Sequence, residues 1–348
     1  GDGGSGGGSG SGDGGSGGGS GSGDEVSGAS VRSLDVSPNG DEVAIGGDGG
    51  IWIWGVTQGE VDLLTEHQSE VRSVSWNQGG DQLAFADRAG GITIIDRSGA
   101  VIGTHPAPHE DVALSLTSLP DGAVVSTGRD RTVRIWRPTT DDVLIARSAH
   151  AGEIYAVTAT SDGAIVATAG ADQVIRLWST NDLGALDSLV GHQEDVLDVT
   201  YLGDTLVSAS ADGTVRRWSS GRTAAVTILS DDLDGVLDID GNSDHSVVVA
   251  GTRAGKVIFW DRDGSGYRRL SDTRHEGAVT DVALLRTGVL SAGVDGRIIR
   301  VDEEALQTAV WNTDSPFREL ATTPDGSTAF AGTEEGSVLR LDLESGED

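Results

Sequence analysis

The sequence predicts an all-β chain made of eight copies of one antiparallel unit. Three observations carry this reading. The stretch His150–Trp178, HAGEIYAVTATSDGAIVATAGADQVIRLW, reads as three short strands joined by two tight turns, the first at Ser161-Asp162-Gly163 and the second after Asp172. The same pattern returns in the flanking stretches His109–Trp136 and Gly191–Trp218. The apolar residue that opens the unit recurs at Val31, Val71, Ala113, Ile154, Val196, Val236, Val279 and Phe317, a spacing of about 40 residues.

With a His before the first strand, a Ser or Thr in the second, an Asp in the turn and a Trp closing the third, these units resemble WD40 repeats, the blades of a β-propeller. The resemblance implies a single eight-bladed propeller of four-stranded antiparallel blades over residues 24–348. It also implies a buried hydrogen-bonded chain in each full copy, from Trp to Ser or Thr, to His, to Asp. The full sets are His109, Ser126, Asp130, Trp136; His150, Thr168, Asp172, Trp178; and His192, Ser208, Asp212, Trp218. A partial set, His275, Ser291, Asp295, has Val301 in the Trp position. A catalytic triad would occur once, beside an oxyanion hole. Three sets at matching offsets point to structure, where every buried polar group needs a partner.

Taken in order, residues 1–23 hold only Gly, Ser and Asp, with DGGSGGGSGSG occurring twice. No side chain here can offset the entropy of ordering, so a flexible linker is expected, tethering an upstream domain. Copy one keeps the SPNG turn and Trp54 but lacks the His. Copy two has His67, with Ala89 in the turn-Asp position and Ile95 in the Trp position. Copy six keeps Trp260 with Ala250 and Ala254 in the middle positions, and copy eight keeps only its hairpins. Apolar residues after each third strand supply a fourth, outer strand in copies one to seven. Copy eight has none, so its outer strand must come from Asp24–Ser30, from another chain, or be missing, leaving a thin last blade.

The formal charge of −31, with Asp+Glu 55 against Lys+Arg 24 and Lys256 as the single Lys, opposes binding to nucleic acid or anionic lipid. The acid excess runs through all copies, as in halophile proteins, where salt screens self-repulsion. No basic patch stands out. Cys and Met are absent, excluding thiol chemistry and suggesting a processed product or a segment of a longer protein. No apolar run is long enough to insert in a membrane, and a cytoplasmic location is expected.

Trp52, Trp76, Tyr155, Tyr201 and Trp311 fall outside the repeated Trp position, Trp311 in the connection before copy eight. They are candidates for a partner-facing surface, weighed against packing between blades. The run with Asp232, Asp234, Asp238, Asp240, Asn242 and Asp244 has a calcium-loop flavour, but Ser243 holds the obligatory Gly position and the register puts Asp238 and Asp240 on a strand. A solvated acidic face is the expectation. His105 and His245 are expected at the surface, with no metal-ligand spacing. The inner strands show only isolated Asp, against chemistry at a central channel. No phosphate loop or nucleophile elbow occurs, and neither cofactor nor metal is expected. The resulting function is a non-enzymatic platform for proteins or peptides, a module of a larger prokaryotic protein, with a structural subunit of a multiprotein complex as the alternative.

Overall fold

The computed structural model describes residues 23–25, 30–105, 108–140, 142–218, 226–230, 233–242, 247–263, 266–269, 273–286, 288–302 and 307–343. It is an eight-bladed propeller of antiparallel sheets. The innermost strands are Val31–Val36, Val71–Trp76, Ala113–Ser118, Ile154–Ala159, Val196–Leu202, Val236–Gly241, Val279–Leu285 and Phe317–Thr322. Each begins on the apolar residue that the repeat singled out.

Every innermost strand carries a β-bulge at its second residue, where the register shifts against the next strand. The extra residue changes the burial rhythm. Plain alternation would bury the first, third and fifth positions. In most blades the bulge buries the first and fourth instead, as in Val71 with Val74 and Val236 with Ile239. The second strand of each blade lies between two neighbouring sheets and is buried almost throughout, as in Thr205–Ser210 and Thr328–Thr333. Blade six has its outer strand in two pieces, Gly266–Arg269 and Thr273–Arg274.

Eight apolar clusters fill the eight junctions between blades. One of them joins Val31, Leu34 and Trp54 of blade one to Phe330 and Val338 of blade eight, so the ring is closed. Close approach at this junction requires Gly332, because a Cβ there would lie 2.3 Å from Val31 Cγ1. Blade eight has three strands of its own, ending with Ser337–Asp342. Three residues from the other end of the chain, Gly23–Glu25, pair with Ser337–Leu339 at its outer edge. This is a thin last blade, supplied by the first of the three sources the sequence left open. The rest of the expected linker, residues 1–22, lies outside the described residues.

Candidate functional site

The loops that enter each blade and the turns between its second and third strands lie on one face of the ring. There, His150 Nδ1 donates to Asp172 over 2.8 Å, Thr168 Oγ1 lies 2.8 Å from His150 Nε2, and the Trp178 indole donates to Thr168 over 2.8 Å. The matching distances around His192 are 3.0 Å to Asp212, 2.7 Å to Ser208 and 2.9 Å from Trp218 to Ser208. The chain of donors assigns a neutral imidazole with its proton on Nδ1. Burial holds His150 and His192 below the usual imidazole range, against the pull of their Asp partners. Burial alone would raise the carboxyls. Amide and imidazole donors outweigh it, lowering Asp172, and Thr214 and the Gln193 amide help bring Asp212 down to about 2. Each Asp also accepts the amide that follows its His, tying the entering loop to the turn.

Two departures from the expected sets appear. His109 reaches Asp130 at 2.8 Å and Ser126 at 2.9 Å, but the Trp136 indole finds no acceptor among the described residues. Its ring lies over Gly103, where there is no Cβ to exclude it, and against His105, with centroids 5.5 Å apart. His105 is therefore buried, not a surface residue. His245 lies outside the described residues. In blade two, His67 Nε2 bonds Asp87 at 2.7 Å, two residues before the Ala89 position, and stacks edge-on against Phe85, which replaces Ser or Thr. The partial set in blade seven has His275 at 2.9 Å from both Asp295 and Ser291. Sequence reading also missed Arg134, Arg176 and Arg216, four residues after each turn Asp and paired with it.

The bulged residues form a ring around the channel mouth on this same face. Blades eight, one and two place Arg318, Arg32 and Arg72 there, and the other blades place Leu114, Tyr155, Leu197, Leu237 and Thr280. Glu70 alone receives Arg32 at 2.7 Å, Arg72 at 2.8 Å and Arg88 at 3.2 Å, while Arg318 pairs with Glu334. Burial and the neighbouring charges of Arg32 and Arg72 lower the Arg318 pKa. A local basic cluster thus exists in this acidic chain. Its signal was an Arg directly after the opening apolar residue in three copies.

One residue deeper, the inner strands carry a belt of side-chain acceptors. Asp198, Asp238 and Asp281 accept the amides of Ile239, Val282 and Leu320 in the next blade, at 3.3, 2.9 and 2.5 Å. Ser33 and Ser73 accept those of Val74 and Leu116. Two residues on, Asp35 and Asp240 accept from Trp76 and Leu284 at 2.7 and 2.8 Å. These Asp residues are not isolated, and Asp238 and Asp240 are not a solvated face: half-buried, they bridge blades. Among the other members of that run, Asp234 is exposed and Asn242 half-buried, while Asp232 and Asp244 lie outside the described residues. Burial pushes Asp35 up to about 7 and Asp281 and Glu319 up to about 8, and raises Asp198, Asp238 and Asp240. No group of three or more candidate ligands poised for a metal occurs among the described residues.

The aromatic candidates divide. Trp76 and Trp311 are buried, each 5% exposed, and do not face a partner. Trp76 donates to the Asp35 carbonyl, and Trp311 sits on the outer strand Gln307–Asn312, not in a connection. Its apolar face packs between blades seven and eight. Trp52 is half-buried against the closing cluster. Tyr155, on the mouth ring, donates to Asp195 at 3.2 Å, and Tyr201 is half-buried between blades four and five. No helix among the described residues is long and apolar enough to cross a membrane.

The WD domain, G-beta repeat family matches residues 22–55, 99–137, 143–179 and 185–219. Each match begins within two residues of the start of one blade's outer strand and ends at or next to the third strand of the following blade. Among curated proteins, the chain is 27% identical over 160 residues to the F-box-like/WD repeat-containing protein TBL1X of Mus musculus, covering 41% of this chain and 30% of that protein. It is 29% identical over 138 residues to the ribosome biogenesis protein YTM1 of Chaetomium globosum, covering 36% and 28%. The matches thus span less than a third of either relative's length. A solved structure, the computationally designed Ika8 protein, shares the fold with a TM-score of 0.77 at 24% identity, over 92% of this chain and 98% of that one. With the family matched on four repeats and the same apolar opener and bulge carried around all eight blades, the chain is an eight-bladed β-propeller carrying WD40 repeats.

Proposed function

We propose that this chain is a non-catalytic platform that receives protein partners on the face carrying the His–Asp pairs, around the arc Arg318, Arg32 and Arg72. The observation that carries this reading is the arc itself. Three cations on consecutive bulges gather at one mouth of a chain whose net charge is −31. Bulges re-aim side chains, and an arginine fork suits a carboxylate or phosphate. Leu114, Tyr155, Leu197 and Leu237 continue the ring as half-buried, largely apolar positions. An anionic side chain beside apolar ones matches that arrangement. A polyanion such as nucleic acid is still repelled by the whole surface.

The Ser, His and Asp sets support the non-catalytic reading, because they recur and each is closed on itself. The converging channel carboxyls do too, since they accept amides from the next blade. Similarity to a relative named for ribosome biogenesis fits a role within an assembly. Residues before Gly23 then serve as a tether to whatever precedes the ring.

Affinity purification from the native host tests the reading, comparing the wild type with Arg32→Glu/Arg72→Glu/Arg318→Glu. The expected result is loss of the co-purifying proteins while the circular dichroism spectrum stays that of the folded ring. An identical partner set on both baits would remove the arc from the binding face. A stoichiometric assembly that survives high salt would favour the structural-subunit reading.

A further inference from the structure

We propose that a slot between blades four and five, on the face opposite the His–Asp pairs, docks a partner segment presenting an apolar side chain next to lysine or arginine. The slot exists because the turn of blade five is short. In blades one to four and in blade eight, five residues separate the first strand from the second, whereas blade five, like blade seven, leaves only two. In blades one, two and four a glycine of that turn packs against the turn of the preceding blade, Gly40 on Pro324, Gly80 on Pro38 and Gly163 on Pro120, while Gly122 of blade three meets no such neighbour. Ser161 holds the matching place in blade four, where the glycine of blade five should rest. Blade five has no such glycine, because its strands end at Leu202 and resume at Thr205, joined only by Gly203-Asp204.

The space left is a cavity of about 450 Å³, within the size range of ligand pockets. Its floor is apolar, made by Ile165, Leu177, Leu189, Leu206 and Trp218. Its rim carries Asp162, Asp187 and Asp204, all exposed. Asp162 and Asp187 accept only local hydroxyl or amide donors. None of the three belongs to an ion pair among the described residues. Tyr201, whose phenol burial pushes up to about 12, stays neutral beside them. An apolar floor under three uncompensated carboxylates selects a cationic, apolar occupant. A bare cation gains nothing from the floor, and a neutral apolar group leaves the carboxylates unanswered.

This inference rests on the platform reading but on the other face, and the arginine-arc variant should leave slot binding untouched, so the two can fail separately. The test is fluorescence anisotropy at 150 mM NaCl on the full chain. The probes are fluorescein-labelled peptides with a Phe-Lys-Lys core, an Ala-Lys-Lys core or a Phe-Gln-Gln core. Phe-Lys-Lys should bind at least tenfold tighter than either control. Asp187→Asn/Asp204→Asn should erase that preference. Replacing Gly203-Asp204 with the five-residue turn Ser-Pro-Asp-Gly-Ser should abolish binding without lowering Tm. Equal binding of Phe-Lys-Lys and Ala-Lys-Lys would mean adsorption to an acidic surface and overturn the proposal. So would binding that survives both variants, or none up to millimolar peptide.

Discussion

Trp136 and Trp178 occupy the same position in adjacent blades, yet only Trp178 has an acceptor for its indole. Both are buried, so both contribute through apolar area, roughly 4–6 kcal/mol gross for 150–250 Å². Replacement by Phe removes similar volume at each site. At Trp178 it also removes the donor to Thr168, whose hydroxyl in turn serves His150. Urea denaturation should therefore show Trp178→Phe costing about 1–3 kcal/mol more than Trp136→Phe. Equal losses would mean that the Trp–Thr–His–Asp chain adds nothing beyond packing. The exception at Trp136 was not legible in the sequence, because the set there is complete. What diverts the indole is Gly103 and His105, contributed by the neighbouring blade.

Strands and turns were the most legible level. An apolar opener every forty residues, followed by turn chemistry, placed all eight innermost strands. The bulge was not legible, since alternation cannot show an inserted residue. That hid the arginine arc and the acceptor belt together. A signal for the belt was present: the third position of the innermost strand is polar in every copy except at Ala156. The outer strand of blade eight was legible only as a set of choices. Gly23–Glu25 fills it, which makes those three residues separable from what precedes them. Removing residues 1–22 should leave Tm unchanged, whereas removing 1–25 should lower it by several degrees in a thermal melt. Equal melting temperatures would show that the edge pairing contributes nothing to closure.

For the ring as a whole, two groups of acids respond to pH in opposite senses. The turn Asp residues have folded pKa values below their unfolded ones, so their contribution is present above about pH 4 and lost as pH falls further. The channel acids have raised values. Folded, they keep protons that the unfolded chain has released by about pH 4–5, so their stabilisation is full below that and lost as pH rises towards about 8. Surface carboxylates have finished ionising by about pH 6, and the buried His150 and His192, with lowered values, act in the opposite sense up to about pH 7, which leaves the interval from pH 7 to 8 to the channel. Tm should fall across it, and Asp238→Asn/Asp281→Asn should flatten the fall, because Asn keeps the acceptor and has no proton to lose. A flat wild-type profile between pH 7 and 8 would rule out the protonated belt.

A disc of eight like sectors has a problem of orientation: a partner recognising the repeated features could land in eight rotational settings of nearly equal energy. The short turn of blade five narrows that choice, because among the described strands only blade seven shares a two-residue gap between its first and second strands. It lies almost diametrically across from the arginines. Together they act like a keyway and a pin on a wheel, so that anything engaging both is held at a single angle.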